Sequence, residues 1–439
     1  MESASSPVFA SRRSLLAGTL TSGLLAAPAL AEAPARGAFT ADEMQRVYER
    51  YYGFGDKASG GPGDNASGAW LIGELERMGY RCSRQTYDVP AYEGGAPELV
   101  SGSNRATLLP QAVVVGTPKG GLDARLHLAG AAQPVSGAIS LVLLPYARWS
   151  TVKGEVERRV NAELASGAVA VILVTTGPTG EALALNAPSG EPLFDKPVAI
   201  LAPKDAGPFI DVARTGGQAK LTVPGRRTVR PAFNVLASMN RNAGRAMVIS
   251  TPRSGWFGCV GERGPGVAVW LALARWASRA SLNTDIELVA TSGHEYEYEG
   301  GEHYIETLAP KPNRTALWVH LGANVAARDW HERGSTLAPL PSADPQRYLL
   351  ASGTLVSAAK AAFAGQVGLE QVYPAQVQSA GGELGSVLKA GYDPVIGIFG
   401  AHRFHHARSD DLRCVSGALA VPVAEAFTKV IGHHLAHLS

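Results

Sequence analysis

Apolar and polar positions follow one pattern from about residue 246 to the end of the chain. Short apolar runs without polar alternation are each followed by a stretch with helical spacing. Such runs are typical of strands that are buried on both faces of a parallel sheet. The predicted strands are 247–250, 286–290, 316–321 and 395–399, and the predicted helices are 267–278, 347–363, 384–390 and 417–434. This alternation predicts an α/β fold with a mostly parallel sheet covered by helices.

The chain before residue 230 has a different pattern. Helical spacing is found at 42–52 and 66–78, and Asp64, Asn65 and Ser67 are candidate caps of the second helix. Short β-rich runs surround one amphipathic helix at 155–164, and these runs are 138–144, 169–175, 197–202 and 219–223. The change in pattern predicts a β-rich inserted domain over 99–229, lead-in helices in 32–98, and the main part of the first domain in 230–439.

The first 31 residues are typical of a targeting segment. Arg12 and Arg13 precede a weakly apolar stretch that ends in Ala29-Leu30-Ala31, which has small residues at the cleavage positions. The paired arginines favour a twin-arginine signal, and a general secretory signal is the alternative. We therefore expect cleavage after Ala31, a periplasmic or secreted location, and no membrane attachment of the mature protein.

Composition supports a globular protein with a large core. The chain has 439 residues, of which 46% are hydrophobic and 18% charged, and this length predicts two domains. Its 40 basic and 38 acidic residues form no basic runs, so we expect no nucleic-acid partner. Cys82, Cys259 and Cys414 lie far apart in the sequence, which excludes a disulfide framework and predicts three free thiols.

Side chains capable of acid/base chemistry or metal ligation follow the predicted strands. Ligands of open α/β sheets bind beyond the carboxyl ends of the strands, so we expect these side chains to meet at one edge. The segments are 251–257, 291–299, 322–324 and 400–411, and they contain Arg253, Trp256, His294, Glu295, Tyr296, Glu297, Asn324, His402, His405, His406 and Asp410. A loop at 258–266 adds Glu262 and Arg263, and it precedes a helix predicted to begin near Pro265.

The order and spacing of these segments resemble the di-zinc exopeptidases, a family that includes aminopeptidases, glutamate carboxypeptidases and glutaminyl cyclases. The resemblance covers nearly all of the mature chain. The apolar run at 167–174 is similar to the protease-associated domain that many members carry. The resemblance implies a three-layer α/β/α fold and a site at which five protein ligands share two zinc ions.

Several residues of this chain depart from the family's zinc site. Pro252 stands in place of the first ligand, a histidine, and Gly322 in place of an aspartate ligand, and neither has a side chain that binds metal. Glu262 stands at the bridging aspartate, and His294 replaces the general-base glutamate. Glu295 is retained as a ligand, and His405 and His406 are both candidates for the last histidine, with His406 favoured by its spacing to Asp410. We therefore expect a degenerate site and no metal cofactor, with a single zinc as the alternative.

The string Asp64-Asn65-Ala66-Ser67-Gly68 reproduces the family's bridging-aspartate segment almost completely. It precedes the predicted inserted domain and follows no apolar strand, so we expect it to cap a helix. The alternative is that Asp64 reaches the site.

Histidine titrates near neutral pH, so His294 can act as a base without a metal ion. We expect catalysis by His294, Glu262, Glu295 and His406. We expect substrate binding by Trp256, Arg263, Tyr296, Asn324, His405 and Asp410. In the alternative interpretations His294 is only hydrogen-bonded at a strand end, and 402–408 is a solvated basic loop.

The predicted function is an exported hydrolase that performs metal-independent acid/base chemistry on a small polar or peptide-like substrate. A non-catalytic binding protein is one alternative, as the transferrin-receptor-like members of the family imply. A one-zinc aminopeptidase is the other. The sequence leaves the oligomeric state open.

Overall fold

A computed structural model describes residues 39–111, 113–334 and 336–438. The predicted targeting segment, at 1–31, lies outside these residues. The α-helices are α1 (Ala41–Tyr52), α2 (Pro62–Arg77), α3 (Glu155–Ala165), α4 (Gly207–Thr215), α5 (Val260–Arg279), α6 (Glu299–Thr307), α7 (Val356–Ala362), α8 (Glu383–Lys389) and α9 (Gly417–Ala436).

The strands form two eight-stranded sheets and one hairpin. They are β1 (Arg81–Glu93), β2 (Glu98–Ser101), β3 (Asn104–Thr107), β4 (Leu109–Pro110), β5 (Leu122–Leu128), β6 (Ile139–Leu143), β7 (Ala170–Val174), β8 (Val198–Leu201), β9 (Gln218–Thr222), β10 (Arg226–Met239), β11 (Ala246–Pro252), β12 (Asp285–Thr291), β13 (Thr315–Leu321), β14 (Arg328–Arg333), β15 (Thr336–Ala343), β16 (Arg347–Ala351), β17 (Val372–Pro374) and β18 (Val395–Gly400). The first sheet has the order β1-β10-β12-β11-β13-β18-β16-β17, and β14 pairs with β15.

The centre of the first sheet is parallel, and antiparallel pairs lie nearer its edges. The parallel pairs are β12 with β11, β11 with β13, β13 with β18, and β16 with β17. Strands β1, β10 and β12 pair antiparallel, and so do β16 and β18. The predicted mostly parallel α/β fold is confirmed.

Helices cover both faces of the first sheet because its central strands are apolar on both sides. One face carries α1, α2, α5 and α9, which pack on residues such as Ile249 and Val319. The other face carries α6 and α8, which pack on Val248 and Trp318. Neighbouring residues of one strand point to opposite faces, so an uninterrupted apolar run requires cover on both sides of the sheet.

The second sheet has the order β3-β2-β9-β5-β6-β7-β8-β4 and lies within residues 98–222. The chain leaves the first sheet at the end of β1 and returns to it at the start of β10. Those two strands pair along their whole length, from Arg81 opposite Ser238 to Glu93 opposite Arg226. The division into an inserted domain at 99–229, which the change in sequence pattern predicts, stays a prediction.

Two predicted helices differ from the observed elements. The helix predicted at 347–363 is wrong in its first part, because residues 347–351 form β16, which pairs with β18 and β17. The helix predicted to begin near Pro265 begins at Val260, so Glu262 and Arg263 lie in its first turn. In both places a contact far along the chain overrides the local pattern.

The predicted caps of α2 are also wrong. The helix begins at Pro62, and Gly61 is its N-cap without a side-chain hydrogen bond. The Asp64 carboxylate instead accepts a hydrogen bond from the Gly60 backbone N–H at 2.8 Å and forms a buried ion pair with Arg253.

Candidate active site

A cleft of about 680 Å³ lies beyond the carboxyl ends of the central strands. Three of the predicted site residues, His294, His405 and His406, line it. Residues of the second-sheet region, including Arg148 and Asn186, form part of the opposite wall. A cleft therefore lies at the edge of the sheet where the sequence analysis expected the site.

Glu262 and two histidines form a buried cluster at this cleft. The Glu262 Oε1 atom lies 3.4 Å from His406 Nε2 and 4.0 Å from His405 Nδ1, and the two imidazole rings are stacked. Burial alone would raise the pKa of Glu262, but Arg263, His406 and His405 together hold it well below its ordinary value. The carboxylate is therefore ionised at neutral pH.

The backbone fixes the orientation of His406. Its Nδ1 lies 2.7 Å from the Ala184 carbonyl oxygen, which only accepts hydrogen bonds, so Nδ1 carries the proton. In the neutral ring Nε2 then has a lone pair directed at the Glu262 carboxylate, and two lone pairs facing each other repel. A proton or a cation between them removes this repulsion, and metal-binding histidines commonly donate their other N–H to a carbonyl in this way.

His294 pairs with a carboxylate that the sequence analysis missed. Its Nδ1 lies 3.1 Å from Glu383 Oε1, and Glu383 accepts a hydrogen bond from the Thr291 hydroxyl. Burial and the charge of Arg263 lower the pKa of His294 well below its ordinary value, so the imidazole is neutral at pH 7. Burial raises the pKa of Glu383, partly offset by His320 and Thr291.

A sequence signal for Glu383 was present. Gly381 and Gly382 precede it, and it is the first residue of α8. An acidic residue after paired glycines at a helix start is a candidate for a site at the sheet edge.

Glu295 lies beside the cluster and does not line the cleft. Its carboxylate accepts hydrogen bonds from the Ser59 backbone N–H and from the Ser59 and Ser254 hydroxyls. The carboxylate that pairs with His294 is therefore Glu383 and not Glu295. Three hydrogen bonds hold Glu295 in place, which suits a carboxylate that fixes the loop around Ser59.

The other predicted substrate-binding residues occupy supporting positions. The Trp256 indole N–H donates to Asn186 Oδ1 at 2.8 Å, and Tyr296 packs in the apolar cluster between the two sheets. The Asn324 amide donates to the Gln346 carbonyl oxygen. None of these three side chains is among the residues that line the cleft, so their assignment to substrate binding stays a prediction.

Asp410 anchors the start of α5. Its carboxylate accepts hydrogen bonds from the backbone N–H groups of Gly261 and Glu262, at 2.6 and 3.1 Å, and lies 3.1 Å from His402 Nε2. Gly261 permits this approach, because a Cβ there would lie 2.8 Å from Asp410 Oδ1. The first amides of a helix have no partner within the helix, so Asp410 fixes the turn that carries Glu262.

Left-handed backbone is concentrated around the site. Among the described non-glycine residues with positive φ are Cys259, Glu297, Tyr298, Asn324 and His406. Such conformations cost of order 1–3 kcal/mol each and persist where surrounding contacts enforce them. Their concentration here supports a functional site.

The structure has the fold of zinc aminopeptidases. It matches BSAP, a zinc aminopeptidase from Bacillus subtilis, with a TM-score of 0.67 and 15% identity over 91% of this chain and 95% of that chain. It matches an aminopeptidase from Aneurinibacillus sp. strain AM-1 with a TM-score of 0.65 and 15% identity, over 90% and 93% of the two chains.

A peptidase M28 precursor from Shewanella amazonensis SB2B gives a TM-score of 0.65 and 17% identity, over 90% of this chain and 97% of that one. The predicted fold resemblance is confirmed. Identities this low establish a shared fold and no more. No protein-family model matches the sequence, and no curated protein matches it.

The expectation that the protein uses no cofactor is wrong. The proteins that share its fold include zinc aminopeptidases, and the described residues contain two groups able to hold a metal ion. These groups are Glu262 with His405 and His406, and His402 with Asp410 and Cys414. The second group is already engaged, because Asp410 binds the start of α5.

The first group fits one metal ion, because several of its ligand atoms make no aligned hydrogen bond, although Glu262 Oε1 is paired with Arg263. Within the described part of the chain, Glu262 Oε1 and Oε2 and His405 Nδ1 are buried without a hydrogen bond. A second ion finds less support. A Cβ at Gly322 would lie 2.7 Å from the Ile398 carbonyl oxygen, so the position has no room for a ligand side chain.

Two further predictions concern the cysteines and the possibility of a membrane-crossing helix. Cys82, Cys259 and Cys414 are all free thiols, as predicted. None of the helices in the described ranges combines the length and apolarity that a membrane crossing requires.

Proposed function

We propose that this protein is a hydrolase of peptide-like substrates that works with a single metal ion. The observation that carries the proposal is the convergence of Glu262 with His405 and His406, two histidines that line the same cleft as His294. A carboxylate and two imidazoles are three ligands, the number that a catalytic zinc site takes from its protein. The earlier hypothesis of a one-zinc aminopeptidase is therefore preferred to metal-independent chemistry.

Glu262, His405 and His406 would hold the ion. Zinc bound there would supply Lewis-acid chemistry. The Ala184 carbonyl keeps the His406 Nδ1 proton in place, which leaves Nε2 free as a ligand. Burial and the neighbouring His406 lower the pKa of His405 well below its ordinary value, so the His405 ring is neutral and able to bind metal.

His294 is suited to proton transfer. With its Nδ1 proton donated to Glu383, Nε2 is the free base on a ring that lines the cleft. Glu383 orients the ring and stabilises the imidazolium that forms when Nε2 takes a proton. Thr291 in turn donates to Glu383 and fixes its carboxylate. Proton transfer by a positioned side chain contributes typically about 10² to 10⁴ in rate.

The decisive test measures the metal content of the purified protein and its hydrolytic activity. The purified protein should contain one zinc per chain by elemental analysis, and it should hydrolyse members of a panel of aminoacyl anilides and dipeptides. Glu262→Gln should lose the metal, whereas Glu302→Gln, on α6 and outside the cleft, should keep it. Zinc-loaded protein inactive across the panel would favour the binding-protein hypothesis.

The same panel tests the role of His294. His294→Ala should lower kcat by about 10² to 10⁴, and Glu383→Gln by about 10- to 100-fold, the range typical of a group that orients another. Both variants should retain zinc. Unchanged kcat in His294→Ala, with the metal in place, would remove this residue from the mechanism.

A further inference from the structure

Arg263 is a buried cation at the centre of the candidate site. Its side chain is fully buried, and its Nη2 lies 2.7 Å from Glu262 Oε1. This is the same carboxylate oxygen that His405 and His406 face. The guanidinium and the candidate metal ligands therefore share one atom.

The Arg263 guanidinium is held in place by a hydrogen bond to the backbone. Its Nε donates to the Ser254 carbonyl oxygen at 2.9 Å, and Gly255 lies beside it. Nη1 and Nη2 are buried and have no aligned hydrogen-bond acceptor within the described residues. Arg263 is therefore fixed as a charge, and its Nη2 is paired with the Glu262 carboxylate without an aligned hydrogen bond.

Three buried carboxylates act on this one cation. Glu262, Glu383 and Glu295 all favour its charged form, together with Cys259, and they outweigh the effect of burial on its pKa. Arg263 in turn lowers the pKa of His294. A guanidinium stays charged in proteins, so this positive charge is permanent.

We propose that Arg263 is a resident cation that takes the place of a second metal ion and limits the Glu262 cluster to one ion. A second doubly charged ion would meet both the first ion and this buried guanidinium, and the two repulsions are strong because the interior screens charges poorly. The carboxylate that would have to bridge two ions already has one oxygen against Arg263. This inference rests on the proposed metal site, but its test compares variants and does not require activity.

The experiment measures zinc binding by competition with a chromophoric chelator, with stoichiometry checked by elemental analysis. The purified protein and Arg263→Lys, which keeps the charge, should bind at most one zinc with similar affinity. Arg263→Met, which removes the charge, should bind zinc at least tenfold more tightly or take up a second ion. Arg226→Met, at a well-exposed arginine, is the control and should behave as the unmodified protein does.

The folding of Arg263→Met needs its own control, because it leaves Glu262 buried without its partner. The double variant Glu262→Gln, Arg263→Met removes both charges. Zinc should raise the melting temperature of Arg263→Met more than that of the unmodified protein, and should not raise that of the double variant.

The outcomes separate the two proposals. Equal zinc affinity and stoichiometry in Arg263→Met and the unmodified protein, including no binding by either, would overturn the role of Arg263. Two zinc ions in the unmodified protein would also overturn it. No zinc in the unmodified protein but one in Arg263→Met would support the resident cation and reject the proposed single-metal function.

Discussion

At the scale of single residues, this site is defined by buried polar atoms that lack partners. His320 illustrates the point, since its Nδ1 lies 2.9 Å from the Ser250 hydroxyl while its Nε2 is buried and has no hydrogen bond within the described ranges. It lines the cleft and is fully buried. Burial lowers its pKa to about 4, with Glu383 opposing and His294 and Arg263 adding to the shift.

This shift predicts a loss of stability in acid. The folded-state pKa of about 4 lies below the ordinary value of 6.5, so the unfolded chain binds the proton more readily. The stabilising effect of neutral His320 is complete above pH 6.5 and is lost as the pH falls towards 4. At pH 4.5 the loss from this residue is about 2 to 3 kcal/mol, because one unit of pKa shift is worth about 1.4 kcal/mol.

His320→Asn should therefore lose less stability than the unmodified protein between pH 7 and pH 4.5, by about 2 to 3 kcal/mol in urea titrations. His331→Asn, at an exposed histidine of β14, is the control and should lose as much stability between pH 7 and pH 4.5 as the unmodified protein does. An identical acid response in His320→Asn would show that His320 is not held neutral in the folded state.

At the scale of elements, the start of α5 determines where Glu262 and Arg263 lie. The local sequence predicted a later start at Pro265, and the observed start at Val260 depends on Asp410 from a loop 149 residues further along the chain. A carboxylate at a helix N-terminus binds free amides and interacts favourably with the helix dipole. The site thus depends on one capping contact, which Asp410 in the loop between β18 and α9 makes with the start of α5.

Asp410→Ala should lower the free energy of unfolding by about 1 to 3 kcal/mol, because two amides and His402 lose their partner in a buried place. It should also weaken zinc binding, since the first turn of α5 is less well fixed. Asp211→Ala, at an exposed position of α4, should change stability by less than about 0.5 kcal/mol. Full stability in Asp410→Ala would contradict the capping role.

At the scale of the whole molecule, the second-sheet region contributes to the candidate site. The Ala184 carbonyl binds His406, the Ala184 N–H donates to the His406 carbonyl oxygen, and the Ala187 N–H donates to the Glu295 carbonyl oxygen. The last paired residues of β1 and β10, Glu93 and Arg226, face each other where this region is inserted. Two strand ends in that position can be joined by a two-residue hairpin turn.

Replacing residues 94–225 by Asn-Gly therefore tests the domain division. The shortened chain should fold with the helical content of the first sheet's layers, measured by circular dichroism. It should bind zinc about 10- to 100-fold more weakly, because His406 loses the carbonyl that orients it. A shortened chain that does not fold would reject the prediction that 99–229 is an inserted domain.

The sequence alone determined the sheet and the edge at which the candidate site was expected. Unbroken apolar runs indicate burial on both faces of a strand. The segments after them contain His294, His405 and His406, and the loop at 258–266 contains Glu262. These features were predictable because each belongs to one element and its immediate continuation.

Only the tertiary structure decided which side chains pair. Glu383 meets His294 across 89 residues, and Ala184 meets His406 across 222 residues. No local sequence pattern predicts contacts between residues so far apart in the chain. The same applies to residues 347–351, which form β16 because β17 and β18 supply hydrogen-bond partners. Periodicity reports which face of an element is buried, whereas partners, tautomers and charge pairs are fixed only when distant segments come together.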